Sequence, residues 1–211
     1  MKKRNILFAI LLAMTMLITA CGAEKQSLEG KWVGTLDVTK QFTDGIKAGH
    51  PTLAEYVEFE DLVFVIDVAF EEGQMSLKVR EDSIDNFTEN FAAGMEKIAL
   101  AYWEDGLAMI DLTLEEAVAE SGMSEEDYLE KRIYKETGID KMISSMTEVT
   151  HATLDKLSSM EGTYQELNNE LRLWYDEENY ENMDYAFKGK KLNITIKGNN
   201  FSLLIQCEKE K

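Results

Sequence analysis

Carboxylates are the side chains that this sequence offers most freely for chemistry. They cluster as Glu58, Glu60 and Asp61; as Glu71 and Glu72; as Glu125, Glu126 and Asp127; and as Asp176, Glu177 and Glu178. Two carboxylates held at a fixed separation across a cleft can hydrolyse a glycoside, one as acid and one as nucleophile or base. With 40 Asp and Glu in 211 residues, however, neighbouring acids arise by chance. Most of these fall in turns and first helical turns, where they read as solvated surface. The run from Asp176 to Asp184 gathers acids and amides but lacks the D-x-[DN]-x-[DN]-G loop, with its glycine, that chelates calcium. A nucleophilic thiolate needs a base beside it, and the chain has only His50 and His151 to serve Cys207. Cys207 therefore reads as a small buried hydrophobe in an alternating strand. No Gly-rich phosphate loop, nucleophile elbow, CxxC or HExxH occurs. The sequence thus predicts no catalytic constellation, no metal site and no cofactor. Methionine is the remaining candidate: Met95, Met109, Met123, Met142, Met146 and Met160 lie in or beside one helical block. Because Met adapts to irregular partners, they fit a plain helical core or an adaptable apolar groove.

Composition narrows the classes further. Lys plus Arg number 22 against 40 acids, a net charge of −18. Residues 1–20 hold three cations and no acid, so the remaining 191 residues carry −21. Nucleic-acid binding through phosphate neutralisation requires cations at each contact, and this surface excludes it. The stretch Leu114 to Ile133 mimics a helix-turn-helix, but its density of Glu makes it a helical hairpin only. At 45% hydrophobic and 9% aromatic the chain can bury a substantial single core.

The N-terminus gives an address. Lys2, Lys3 and Arg4 precede an apolar run from Ile6 to Ile18, which is too short to span a bilayer and right for a secretory h-region. It ends in Ile18-Thr19-Ala20-Cys21, an aliphatic residue and two small ones before a cysteine. This resembles the lipobox of bacterial lipoproteins. The resemblance implies a signal peptide over 1–20, cleavage before Cys21, and lipidation of the Cys21 sulfur with palmitate-like chains. Each buried CH2 is worth about 0.8 kcal/mol, so two or three chains hold firmly. The protein is then expected at the cell membrane, lipid-anchored on the extracytoplasmic face, on a tether over residues 21–29.

The elements that must position any site follow from periodicity. Lys31 to Val38 reads as a first strand, and Pro51 sits in a loop with Gly45 and Gly49. From Phe59 to Glu71 the residues Leu62, Phe64, Ile66, Val68 and Phe70 alternate with polar ones, Glu72-Gly73 marks a turn, and Met75, Leu77 and Val79 continue the alternation: a β-hairpin. From residue 83 the period becomes helical, with a stripe of Ile84, Phe87, Phe91, Met95, Ile98 and Tyr102. Thr113 and Ser124 look like helix N-caps, and Gly122 and Gly138 like helix stops. A further stripe runs from Ile139 through Met142, Ile143 and Met146 to Leu157. After 160 the period returns to two in five strands: Tyr164–Leu167, Leu171–Tyr175, Met183–Phe187, Leu192–Ile196 and Phe201–Cys207. Asn168-Asn169, Gly189-Lys190 and Gly198-Asn199 punctuate them.

Three strands, a helical block over 83–158 and five more strands predict a mainly β, α+β fold. Its core is an antiparallel up-and-down eight-stranded barrel over 30–211, with the helices inserted between strands 3 and 4. Gly30-Lys31-Trp32 opening the first strand, ahead of seven further up-and-down strands, resembles the lipocalin-like barrels. The resemblance implies that Trp32 packs structurally across the closed end. Asp184-Tyr185 is the only trace of the second lipocalin motif, no Arg follows the last strand to stack on Trp32, and the insertion is foreign to a simple barrel. Alternation points Phe64, Ile66, Leu171, Leu173, Tyr185 and Phe187 inward, as a ligand-facing interior or as filler. An insertion between consecutive strands must emerge at one rim, covering or extending that mouth. The strand pairing beneath is expected to stand without it; the alternative is that the helices supply the barrel's own core, with the stripe Phe87, Phe91, Met95 and Ile98 packed against the sheet.

The function expected is that of a non-catalytic, membrane-anchored binding module for an apolar small molecule or a protein partner. The alternative is a structural or interaction component of the envelope with no small-molecule ligand. Neither involves nucleic acid.

Overall fold

The structure, a computed structural model, describes residues 26–197 and 202–210. The expected signal segment, Cys21, the expected turn at Gly198-Asn199, and Phe201 lie outside the described residues. Eight strands form one closed antiparallel barrel in sequential order: β1 (Gly30–Asp37), β2 (Val63–Glu71), β3 (Gln74–Val79), β4 (Glu161–Leu167), β5 (Glu170–Trp174), β6 (Tyr180–Lys188), β7 (Lys191–Lys197) and β8 (Ser202–Lys209). β8 returns to pair with β1, Gly34 opposite Cys207 and Leu36 opposite Ile205. This is the architecture that the alternation and the lipocalin resemblance implied. Closure leaves no free sheet edge to template aggregation.

Partners directly across an antiparallel ladder share a face, so register identifies the interior. Leu36, Phe64, Ile66, Val68, Phe70, Met75, Leu77, Leu171, Leu173, Met183, Leu192, Ile194, Ile205 and Cys207 all point inward and are buried. Gly34 also faces in, where a Cβ would meet Ile205 Cγ2 at 2.5 Å and Cys207 Sγ at 3.1 Å. A side chain there would displace the packing across the β1–β8 closure.

Strand β2 begins later than its alternation suggested. Val57 and Phe59 are buried and Glu58 and Glu60 exposed, but Asp61 adopts a φ of 53°, which breaks the extended run. Residues 57–60 pack on a helix instead of a strand.

The connections divide cleanly between the two rims. One rim carries the tight turns β2–β3, β4–β5 and β6–β7 together with the start of β1 and the end of β8. The other carries both long connections, and here two findings correct the expectation. First, the stretch after β1 read as a loop is helix α1 (Thr39–Gly49). Second, the insertion does not stand apart from the barrel as a separate layer. It comprises α2 (Glu81–Ala108), α3 (Leu114–Ser121), α4 (Glu125–Tyr128), a π turn (Leu129–Tyr134), α5 (Lys135–Thr137) and α6 (Ile139–Ser158). It does emerge at one rim, but the α2 stripe Phe87, Phe91, Met95 and Ile98 is buried throughout. The Phe87 ring lies 4.5 Å from that of Phe64, inside the barrel mouth. Helix and barrel share one core.

The seam between β3 and β4 shows the same dependence. Only three residue pairs join them, Gln74–Thr163 to Ser76–Glu161. Beyond that the edge of β3 is closed by the end of the insertion: Leu77 N–H donates to Met160 O (3.0 Å) and Val79 N–H to Ser158 Oγ (3.1 Å). Arg80, which leads into α2, grips Asp67 with a guanidinium fork, Nη2 to Oδ1 at 2.7 Å and Nε to Oδ1 at 3.0 Å. The helix signals held locally. Thr113 and Glu116 form a full capping box, Ser124 accepts from Asp127 N–H, and Gly122 and Gly138 end helices in the left-handed region at φ 70° and 73°.

Candidate functional site

The barrel interior was the first candidate site. Phe64, Ile66, Leu171 and Leu173 are buried there among other large apolar side chains. Tyr185 and Phe187 are half-buried near the turn-bearing rim. Tyr185 O–H donates to Glu166 Oε2 (3.0 Å), and burial with that carboxylate pushes its pKa up. Phe187 sits 6.1 Å from Trp32, and Trp32 Nε1–H donates to Leu28 O (2.7 Å). Leu28 is itself buried. Leu28, Trp32 and Phe187 therefore plug this rim. Lys209 Nζ lies 5.4 Å over the Trp32 ring and donates to Glu29 O. Lys209 lies two residues beyond Cys207 on the last strand, and nothing in the local sequence pairs it with Trp32.

The interior is thus packed, plugged at one rim and capped by Phe87 at the other. Cys207 belongs to this filling, opposite Leu192 and Gly34, and burial raises its thiol to about 12. A thiol held protonated is no nucleophile at neutral pH. In the cluster Asp176, Glu177 and Glu178, the first carboxylate serves its own turn. Asp176 Oδ1 accepts from the backbone N–H of Glu178 (2.9 Å) and Asn179 (2.8 Å), and Asn179 Nδ2 also donates to it, which together hold its pKa down. Among the described residues, no group of three or more His, Cys, Asp or Glu could hold a metal ion. A broad cleft of about 890 Å3 at the plugged rim is bordered by Glu29, Glu71, Glu72 and Glu161. Tyr164 O–H donates to Glu29 Oε1 there (3.0 Å), and burial together with that carboxylate raises Tyr164 to about 12.

The apolar concavity lies in the cap. Helices α1 and α6 leave a groove of about 420 Å3 between them, lined by Phe42, Gly45, Ile46, Gly49, Met142 and Met146, with Gln41 and His50 at its edge. Phe42 anchors α1 by edge-on packing against Phe87 (5.2 Å) and Phe91 (5.5 Å), so the floor of the groove continues into the barrel core. Gly45 and Gly49 present no side chain on α1, and nothing approaches the position of a Cβ at either. Two of the six methionines singled out in the sequence meet here. Met95 and Met160 are buried core, Met123 is half-buried, and Met109 is 85% exposed with Ile110 at 67% in the turn after α2. What the sequence missed was α1, the opposite wall.

No helix among the described residues is long and apolar enough to cross a membrane. Comparison of the chain with known protein families, curated proteins and solved structures finds no match.

Proposed function

We propose that this protein is a lipid-anchored, extracytoplasmic binding module, held at the cell membrane through Cys21, whose binding element is the groove between α1 and α6. The observation that carries the reading is the contrast between the two apolar spaces. The barrel interior is filled by its own side chains, whereas the cap keeps an open groove of about 420 Å3 walled by Phe42, Ile46, Met142 and Met146. That volume lies in the range that accommodates a small organic ligand, and two thioethers let the wall repack around different apolar shapes. The occupant is an apolar small molecule that carries at most one polar group, for Gln41 or His50 at the edge. A non-catalytic role agrees with Asp176 being tied up in its own turn and with the protonated Cys207.

The test has two arms. The fluorescence of 1-N-phenylnaphthylamine should rise on addition of the full chain, and Met146→Glu should abolish that rise while thermal melting stays within a few degrees. Undiminished binding by Met146→Glu refutes the groove. For the anchor, Cys21→Ala should give an uncleaved precursor or release into the medium; a processed, unacylated chain that stays with membranes overturns it. A second reading, an interaction component of the envelope, is favoured by one feature: Met109 and Ile110 form an apolar knuckle at the end of α2, and such patches mark protein contacts.

A further inference from the structure

We propose that the plugged rim docks on an anionic lipid surface through its lysine turn, Lys188, Lys190 and Lys191, and stands the barrel with its acidic helical cap directed away from the membrane. The proposal rests on the reading of Cys21 as the lipid anchor and adds the orientation, the contact residues and the lipid class.

Three observations carry it. The first is where the tether enters. The side-chain amide of Gln26 donates to the carbonyl of Gly189, in the middle of the lysine turn. Cys21 is five residues before Gln26, so the chain between them reaches at most about 18 Å. An acylated Cys21 therefore holds this turn close to the headgroups.

The second is the distribution of charge. The insertion and its flanks, residues 81–160, carry 6 Lys and Arg against 19 Asp and Glu, and the β1–β2 connection, 38–62, carries 2 against 5. The cap thus holds −16, while the rest of residues 21–211 holds 11 cations against 16 acids, a net −5. A barrel of eight-residue strands separates the two rims by roughly 20 Å, more than two Debye lengths at physiological salt. With the cap outward, its charge is screened from an anionic surface; with the cap inward, it is repelled.

The third is the local balance at the rim. Lys188, Lys190 and Lys191 are exposed. Lys191 pairs with Glu208 (2.6 Å), and neither Lys188 nor Lys190 forms an ion pair among the described residues. The acidic β2–β3 turn, Glu71 and Glu72, sits diametrically across the barrel from the β6–β7 turn by strand order. Glu29, Glu166, Glu170 and Glu210 stand exposed elsewhere on this rim, so its cations are concentrated in the β6–β7 turn, and the barrel leans onto that turn alone. Each lysine brought to an anionic surface favours contact by about fivefold.

The experiment uses the full acylated chain in vesicles of phosphatidylcholine, with or without phosphatidylglycerol, and a nitroxide on a fraction of the headgroups. A fluorophore is placed at Asn169→Cys, in the β4–β5 turn of the same rim, or at Ala119→Cys, on α3. Buried Cys207 stays unlabelled. Quenching at 169 should be at least threefold stronger on the anionic vesicles, and quenching at 119 should be small on both. The triple variant K188Q/K190Q/K191Q, or 0.5 M salt with the native lysines, should return position 169 to its level on neutral vesicles. Equal quenching at 169 on both vesicles, persistence in the variant and in salt, or stronger quenching at 119 overturns the orientation while leaving the anchor intact. A chain that does not float with either vesicle overturns the anchor, and the orientation with it.

Discussion

Replacing Phe87 with alanine tests whether cap and barrel are one folding unit. Phe87 is fully buried and its ring touches three others: Phe64 at 4.5 Å, Phe42 at 5.2 Å and Phe91 at 6.0 Å. Truncating a core phenylalanine costs about 3–5 kcal/mol through lost transfer energy and the cavity left behind. Each aromatic pair is worth about 0.5–1.5 kcal/mol beyond its area, which places this site at the upper end. In a domain of this size about 1 kcal/mol moves the melting temperature by roughly 2–4 °C, so Phe87→Ala should lower it by roughly 10–20 °C. The distinguishing measurement is amide exchange resolved by peptide. Because α2 seals the mouth and the end of α6 closes β3, strands β1 and β8 at the far rim should lose protection together with α2, in one transition. A loss confined to residues 81–158, with the strands unchanged, would show that the helices are a lid over an independent barrel and would refute the shared core.

Trp32→Ala should cost about 3–5 kcal/mol, read as a fall in the urea midpoint, since it removes the plug and leaves Leu28 O without its donor; a neutral effect would mean that the rim is not closed by Trp32. Gly94→Ala should destabilise by about 1–3 kcal/mol, because its Cβ would fall 2.6 and 2.8 Å from Phe59 ring carbons; Phe59→Leu in the same chain should recover part of that loss in thermal melts. Cys207 should resist an aromatic disulfide reagent at pH 8 and react in urea. Its thiol is raised to about 12 by burial, so the unfolded chain loses that proton first. Stability should then be complete below the unfolded thiol's pKa of about 8.5 and decline as pH rises towards 12. Cys207→Val should shallow that decline, and an unchanged slope would contradict the assignment.

The features legible in the sequence are those set within a few residues. Alternation of Phe64, Ile66 and Val68 requires a strand with one buried face. The stripe Phe87, Phe91, Met95 and Ile98 requires a helix with one buried face. Thr113 with Glu116, and Gly122 and Gly138, fix helix ends through bonds to their own neighbours. Eight strands, a helical block after the third, and an inward set including Leu171 and Leu173 all followed from such local rules.

Helix α1 did not, because Thr39–Gly49 carries two glycines and threonines that favour other conformations. Its stability comes from burying Phe42 and Ile46 against elements that follow far along the chain. The groove required α1 and α6, about a hundred residues apart, to meet. The Lys209 cation over Trp32 required barrel closure, and Phe87 entering the mouth required the insertion to fold back over Phe64. Periodicity states that a face must be buried and is silent about what buries it. That choice belongs to the packing of surfaces distant in sequence, and there the filled barrel and the open groove were decided.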